Sequence, residues 1–157
     1  MRYQLSEFER SALHIVAALW SINADFHDLR SAASYADSNR RHFLGVVGEY
    51  SFSKLHNLFF DFAPNGQKPN RGADVVTRAG ARVDIKTVTI KSGSLILSSR
   101  KNTDVDIFVL CYYDEDKNAV DFIGYIDAAE AYKTKPIKFK NKLVYWIDRD
   151  NLKPFNR

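Results

Sequence analysis

The chain has 157 residues, of which 45% are hydrophobic and 27% charged, and its formal net charge is +4. These values are typical of one folded domain with a real core, and they exclude an intrinsically disordered chain. The single cysteine, Cys111, excludes a disulfide framework within one chain, and no apolar run is long enough to cross a membrane. Because the N-terminus also lacks the apolar stretch of a signal peptide, we expect a cytoplasmic protein. Its modest basic charge favours a polyanionic partner without identifying one.

The first part of the chain predicts helices. Residues 6–36 have helical spacing, and Ser6 with Glu9 three residues later predicts a capping box at the start. The apolar positions of this helix recur at three- to four-residue steps: Leu13, Val16, Ala17, Trp20 and Ala24. The polar stretch 25–39 leaves open a second helix or a loop. Residues 43–60 predict a stronger helix, in which Gly45 and Gly48 indicate close approach to a sheet or to a substrate backbone.

After a loop at residues 64–72, the pattern changes to that of strands. Residues 73–77 and 81–90 predict a β-hairpin around a turn at 78–80, with β-branched residues enriched in the second strand. Further strands are expected at residues 95–97, 105–113, 120–126 and 143–147, and a short helix capped by Asp127 at residues 127–132. Helices first and strands later predict an α+β or mixed α/β domain around one sheet.

The predicted hairpin brings together residues suited to chemistry on phosphates. Asp84 and Lys86 are two apart on one strand and therefore project to the same face, while Val83 and Ile85 face the core. Asp74 lies on the neighbouring strand, and pairing could bring it close to both. Two adjacent carboxylates repel each other, and a divalent cation such as Mg²⁺, which favours oxygen ligands, relieves that cost.

Glu49 is the third acidic candidate. It lies in the strong helix, where its neighbours one turn away are Val46 and Phe52. A carboxylate that borders such an apolar face is less often found on a freely solvated surface. We therefore expect Glu49 to lie away from the freely solvated surface.

A helix with Glu49, then Asp74 at the start of a strand, then Asp84-Ile85-Lys86 on the next strand resembles the PD-(D/E)XK nuclease superfamily. The resemblance covers roughly residues 43–126 and implies a restriction-endonuclease-like fold, in which helices flank a central mixed sheet. It implies a single nuclease domain over residues 1–157, with a catalytic core at 43–147 and an N-terminal helical extension at 1–40. Two positions depart from the family pattern. Ala73 replaces the proline, and Asp84 replaces the more frequent Glu.

The resemblance also implies a function and roles for these residues. The expected reaction is hydrolysis of DNA phosphodiester bonds by a metal-activated water, with Mg²⁺ or alternatively Mn²⁺. Asp74 and Asp84 would hold the ion together with the Ile85 carbonyl. Glu49 would bind or orient a second ion or a water, and Lys86 would assist the nucleophile. Small members of the superfamily often act as homodimers, so a homodimer is compatible with this interpretation.

Basic residues flank the motif and are candidates for neutralising phosphates and positioning DNA. The candidates are Arg40, Arg41, Lys68, Arg71 and Lys91. Other interpretations stay open. Asp84 and Lys86 could be an ordinary ion pair on an exposed strand, in a non-catalytic nucleic-acid-binding or interaction protein that retains the fold. A nuclease of the same superfamily could also act on a branched junction or on RNA.

Overall fold

The computed structural model describes residues 1–25, 32–62 and 72–155. The predicted mixed α/β class is confirmed. In chain order the elements are β1 (Arg2–Gln4), α1 (Glu7–Asp25), α2 (Ala32–Leu55), β2 (Val75–Val76), β3 (Arg82–Val88), β4 (Leu95–Ser98), β5 (Ile107–Asp114), β6 (Ala119–Asp127), α3 (Ala128–Ala131), β7 (Ile137–Phe139) and β8 (Lys142–Ile147). A short 3₁₀ turn follows at Arg149–Asn151. Within the described part of the chain, none of the helices is long and apolar enough to cross a membrane.

The strands form two sheets. The larger has the order β1-β6-β5-β3-β2, in which β3 and β5 are parallel and the other pairs are antiparallel. The smaller is an antiparallel sheet in the order β4-β8-β7. The prediction of one sheet is therefore wrong. The β7 strand of the smaller sheet has only three residues and exposes Ile137. It is therefore too short and too exposed to show the alternation of apolar and polar residues that predicts a strand.

Two apolar cores lie on opposite faces of the larger sheet. On one face the helices α1 and α2 pack against strand residues: Leu13, Trp20, Val46 and Val47 against Val83, Ile85, Val109 and Cys111. On the other face the smaller sheet packs: Leu95, Leu97, Tyr145 and Ile147 against Phe108 and Leu110. The long helices thus flank one face of the sheet, and the second sheet covers the other.

The N-terminal residues are integrated into the main core. Strand β1 forms the edge of the larger sheet beside β6, with Tyr3 opposite Val120. The predicted capping box is confirmed at the start of α1. The Glu9 backbone N–H donates to Ser6 Oγ at 3.2 Å, and Glu9 Oε2 accepts from the Ser6 backbone N–H at 2.8 Å. The apolar face of α1 is buried as predicted: Leu13, Val16, Ala17 and Trp20.

Several predicted boundaries need correction. The helix predicted at residues 6–36 is two helices on either side of residues 26–31, and the one predicted at 43–60 is α2, which begins at Ala32 and ends at Leu55. Asn57 takes a left-handed backbone conformation (φ 50°) that stops the helix. Asp127 precedes α3 without making a side-chain cap bond, because its carboxylate pairs with Lys153.

Gly48 fixes how closely α2 approaches the sheet. A Cβ atom at this position would lie 2.1 Å from Thr87 Oγ1 and 3.2 Å from Ile85 Cγ2, closer than atoms can pack. The prediction that this glycine permits close approach of the helix to the sheet is confirmed. The turn of α2 that carries Glu49 therefore lies directly against β3.

Candidate active site

The β2–β3 hairpin leaves part of β3 as an open edge. Strand β2 pairs with Val83 and Arg82, and the Asp74 backbone N–H donates to the Val83 carbonyl at 2.9 Å. Beyond Val83, a side chain replaces the neighbouring strand as the hydrogen-bond partner of β3, since Asp74 Oδ2 accepts from the Ile85 backbone N–H at 2.8 Å. Both backbone polar groups of a strand residue point to the same side, so the Ile85 carbonyl also faces this edge. Asp74 and the Ile85 carbonyl therefore come together as the sequence predicted.

Asp84 and Lys86 project from the face of β3 that the smaller sheet covers. They pair in register with Phe108 and Leu110, which belong to that side's core. Lys86 Nζ lies 2.5 Å from Asp84 Oδ1, which confirms that the two side chains share a face. Asp84 is only 7% exposed, whereas Lys86 reaches solvent. An exposed ion pair on a solvated strand face, the ordinary alternative, does not describe a carboxylate buried to this degree.

Glu49 is buried as well, with 8% of its surface exposed. Its Oε1 lies 3.7 Å from the position that a Cβ atom would take on Gly45, one helical turn earlier. The absent side chain at Gly45 thus leaves room beside the carboxylate. Because Gly48 holds this turn against β3 at the level of Ile85 and Thr87, Glu49 approaches the strand from the helical side of the sheet.

The charges of all three acids act on Lys86. Burial lowers the pKa of the Lys86 ammonium, but the negative charges of Asp84, Asp74 and Glu49 outweigh this and hold the pKa above its ordinary value. All four residues predicted to be catalytic therefore lie close enough for their charges to interact. Lys86 carries a positive charge at neutral pH, among acids from α2, the start of β2 and β3 itself.

The donor set fits a divalent cation. In their ionised forms three carboxylates and one ammonium leave an excess of two negative charges, which a divalent ion would neutralise. Mg²⁺ usually retains several waters and takes one or two carboxylates from the protein. Within the described ranges, no three or more His, Cys, Asp or Glu side chains converge tightly enough to form a ready-made metal cluster. The magnesium site therefore stays a prediction.

The candidate phosphate-binding residues have varied surroundings. Arg40 pairs with Glu115 at 2.6 Å on an exposed surface, and Arg41 donates to the Asp37 carbonyl at 3.2 Å. Lys91 lies near enough to Asp121 to contribute to the lowering of its pKa, which arises mainly from a hydrogen bond with Arg2. Lys68 and Arg71 lie outside the described residues.

Asn102, which no sequence pattern predicted as part of the site, positions the chain that leads into Asp74. Its Nδ2 donates to the Gly72 carbonyl at 3.3 Å, and its Oδ1 accepts from the Asp104 backbone N–H at 3.0 Å. The second bond is an Asx turn, which Asn commonly forms with the residue two positions ahead. The backbone of Gly72 has φ +96°, a conformation that glycine adopts readily because it lacks a side chain. The Asn-Thr-Asp sequence was the available signal for the turn, but not for the contact with Gly72.

Cys111 is a buried thiol in β5. Burial raises its pKa to about 12, and its Sγ lies 3.3 Å from Thr87 Oγ1. A thiol in this state is not a nucleophile at neutral pH. The chemistry of the site therefore depends on the acids and the lysine.

No family model matches this chain, and a search of curated proteins finds no match either. Any assignment of function therefore depends on the residues and the geometry described above.

Proposed function

We propose that this protein is a metal-dependent nuclease of the PD-(D/E)XK type, with a restriction-endonuclease-like core, that hydrolyses phosphodiester bonds in DNA. The observation that carries the proposal is that Glu49, Asp74, Asp84 and Lys86 lie around the open edge of β3, close enough for all three acids to act on the lysine. Three separate elements supply these side chains, and two of the acids are buried despite the cost of removing a carboxylate from water. A protein tolerates that cost where the charges are used, so buried, coupled charges in one place favour a catalytic site.

The roles of the residues follow from where they lie. Asp74 and Asp84 would hold Mg²⁺ or Mn²⁺, with the Ile85 carbonyl on the same edge as a further oxygen ligand. When bound, the ion supplies charge neutralisation and Lewis-acid polarisation of the phosphate. Glu49, on the opposite side of the edge, orients the attacking water or a second ion. With these roles, the scissile phosphate would lie against the open edge of β3.

Lys86 stabilises charge during the reaction. Water attacks phosphorus, the bond to the leaving oxygen breaks, and negative charge builds on the phosphoryl oxygens. The Lys86 side chain is partly exposed, whereas its partner Asp84 is buried. The Lys86 ammonium can therefore donate to the phosphate or to the attacking oxygen. Its positive charge at neutral pH suits this role better than proton abstraction.

The first experiment is a cleavage assay on labelled linear, circular, single-stranded and four-way-junction DNA, together with RNA. Each substrate is incubated with Mg²⁺, with Mn²⁺, or with EDTA. We expect cutting of at least one DNA that requires the ion and that Asp84→Asn abolishes. Cutting of RNA alone would overturn the substrate class. Folded protein that cuts none of these substrates would favour the non-catalytic interaction protein.

The matched control is Asp116→Asn, which removes the same charge from an exposed turn between β5 and β6. Activity that is lost in Asp84→Asn but kept in Asp116→Asn would assign the effect to the site. Loss in both variants would instead indicate a general dependence on surface charge.

A further inference from the structure

Helix α1 exposes an apolar stripe on the face opposite to its core-facing residues. The exposed fractions are 82% for Phe8, 64% for Ile15, 50% for Leu19 and 49% for Ile22. Phe8, Ile15 and Ile22 are seven residues apart, and Leu19 lies one turn from two of them, so all four fall on one side of the helix. Exposed large apolar residues are normal singly, but a continuous stripe of them marks an interaction surface.

The stripe is complementary to itself. Phe8 and Ile22 each lie seven residues from Ile15, about 10 Å along the axis. If two α1 helices pack antiparallel about a twofold axis at Ile15, Phe8 of one protomer lies opposite Ile22 of its partner. The same operation places Leu19 opposite the small Ser11. Phe8 would therefore pack beside Ile22, and the large Leu19 would pack beside the small Ser11, so the side chains of the two helices could interdigitate.

The amount of surface is sufficient for a pair of protomers. With about 200 Å² as the full surface of a large apolar residue, the exposed fractions correspond to roughly 500 Å² on one protomer and about 1,000 Å² on two. A biological interface needs about 1,000 Å² in total, and flanking residues would add to this value. The four stripe residues and Ser11 carry no charge, so no charged side chain on this face has to lose water.

We propose that the apolar stripe of α1, formed by Phe8, Ile15, Leu19 and Ile22, is the interface of a homodimer in which two α1 helices pack antiparallel about a twofold axis at Ile15. The surface is isologous, since the same residues from both copies form it. The proposal depends on the exposed stripe and not on the nuclease activity.

The first test is the mass of the full chain in solution by sedimentation velocity, over about a hundredfold range of concentration. We expect the mass to rise from 18.0 kDa toward twice that value. Ile15→Glu should abolish the rise, because it buries two like charges at the axis. Ile90→Glu should leave it unchanged, since Ile90 is 67% exposed but lies in the turn after β3. A monomer at every concentration, or a dimer that Ile15→Glu does not affect, would overturn the proposal.

The second test fixes the orientation of the helices by disulfide cross-linking. The one native cysteine is buried, so a cysteine added on the stripe is the reactive thiol. Ile15→Cys should oxidise to a covalent dimer, whereas Phe8→Cys alone should not, because two Phe8 positions would lie about 20 Å apart. Mixing Phe8→Cys with Ile22→Cys should give the mixed cross-linked dimer. Efficient cross-linking of Phe8→Cys alone would mean a parallel pair and would contradict the twofold axis at Ile15.

Discussion

At the scale of single residues, Lys86 is the side chain whose surroundings distinguish a reactive group from a structural pair. Its partner Asp84 is buried, and Asp74 and Glu49 act on it as well. Lys117 and Asp114 form a comparable pair at the end of β5, at 3.4 Å, and the side chain of Asp114 is also largely covered. The two pairs therefore have the same chemistry, but Asp74 and Glu49 act on Lys86 in addition, so comparing the pairs isolates the effect of the site.

Lys86→Gln removes the positive charge while keeping most of the side chain's length. We expect kcat for DNA cleavage to fall about 10²–10³-fold, the usual loss when one charge-stabilising donor is removed. KM should change little, because the interaction is strongest in the transition state. Single-turnover cleavage in saturating Mg²⁺ measures the effect, and Lys117→Gln is the control. Equal, small losses in both variants would show that Lys86 is a structural ion pair.

Glu9 gives a residue-scale prediction about pH. Burial of its carboxyl raises the pKa, but hydrogen bonds from Tyr3, the Ser6 backbone and Tyr50 outweigh this and hold the pKa at about 2 against an ordinary 4.5. Because the folded-state pKa is depressed, Glu9 stabilises the fold above pH 4.5, and this contribution is lost as pH falls from 4.5 to about 2. The free energies of unfolding of the protein and of Glu9→Gln should therefore converge in that window.

Chemical denaturation at a series of pH values measures this difference. Other acids with depressed pKa values, such as Asp106, are present in both proteins, so their effects cancel in the comparison. A gap between the two proteins that stays constant from pH 5 to pH 2 would contradict the role of the Glu9 hydrogen bonds.

At the scale of elements, two glycines one turn apart in α2 have opposite surroundings. A Cβ atom on Gly48 would collide with Thr87 and Cys111, whereas one on Gly45 would meet Glu49 Oε1 at an ordinary 3.7 Å. We expect Gly48→Ala to lower the free energy of unfolding by about 1–3 kcal/mol through overpacking. Gly45→Ala should be neutral or stabilising by up to about 1 kcal/mol, since alanine favours the helix.

Thermal or denaturant unfolding of both variants measures the contrast. Gly45→Ala is the control, because it makes the same substitution in the same helix. If Gly48→Ala were as stable as Gly45→Ala, close contact between α2 and β3 would not be what positions Glu49.

The elements that could be predicted from the sequence are those whose signals are local. Asn and Gly at turns, β-branched residues in β3 and the Ser6–Glu9 capping box all act within a few residues. The start of α2 could not be predicted, because its polar first half contains Ser38, which is buried by tertiary packing despite its polarity. The smaller sheet could not be predicted either, because its pairing is not a local property of the sequence. Its strands pair across distant parts of the chain, and β7 exposes Ile137 instead of alternating.

At the scale of the whole molecule, the candidate site lies where the helix layer, the larger sheet and the start of β2 meet. The types of residue at the site were predictable, because Asp84 and Lys86 must share a face of their strand. Their burial was not, since it depends on how the smaller sheet covers that face. The hydrogen bond from the Ile85 backbone N–H to Asp74 Oδ2 could not be predicted either, because it depends on the pairing of β2 with β3 ending at Val83.

If the proposed site binds Mg²⁺, the ion stabilises the whole molecule, because it binds the folded chain and not the unfolded one. With Mg²⁺ at about a hundred times its dissociation constant, we expect a gain of about 2.7 kcal/mol and a Tm increase of roughly 5–10 °C. Asp84→Asn should lose this gain, because it removes one of the two carboxylates proposed to hold the ion. Differential scanning calorimetry with Mg²⁺ or EDTA measures both effects. An equal Mg²⁺ response in the two proteins would place ion binding elsewhere.

The most direct test of the proposed nuclease is the single-turnover cleavage rate on the DNA that the protein cuts best, in Mg²⁺, for the original protein, Asp84→Asn and Asp116→Asn. The structure predicts a rate that EDTA and Asp84→Asn abolish and that Asp116→Asn leaves unchanged. Cleavage that persists at the original rate in folded Asp84→Asn would contradict the assignment of the active site to the open edge of β3.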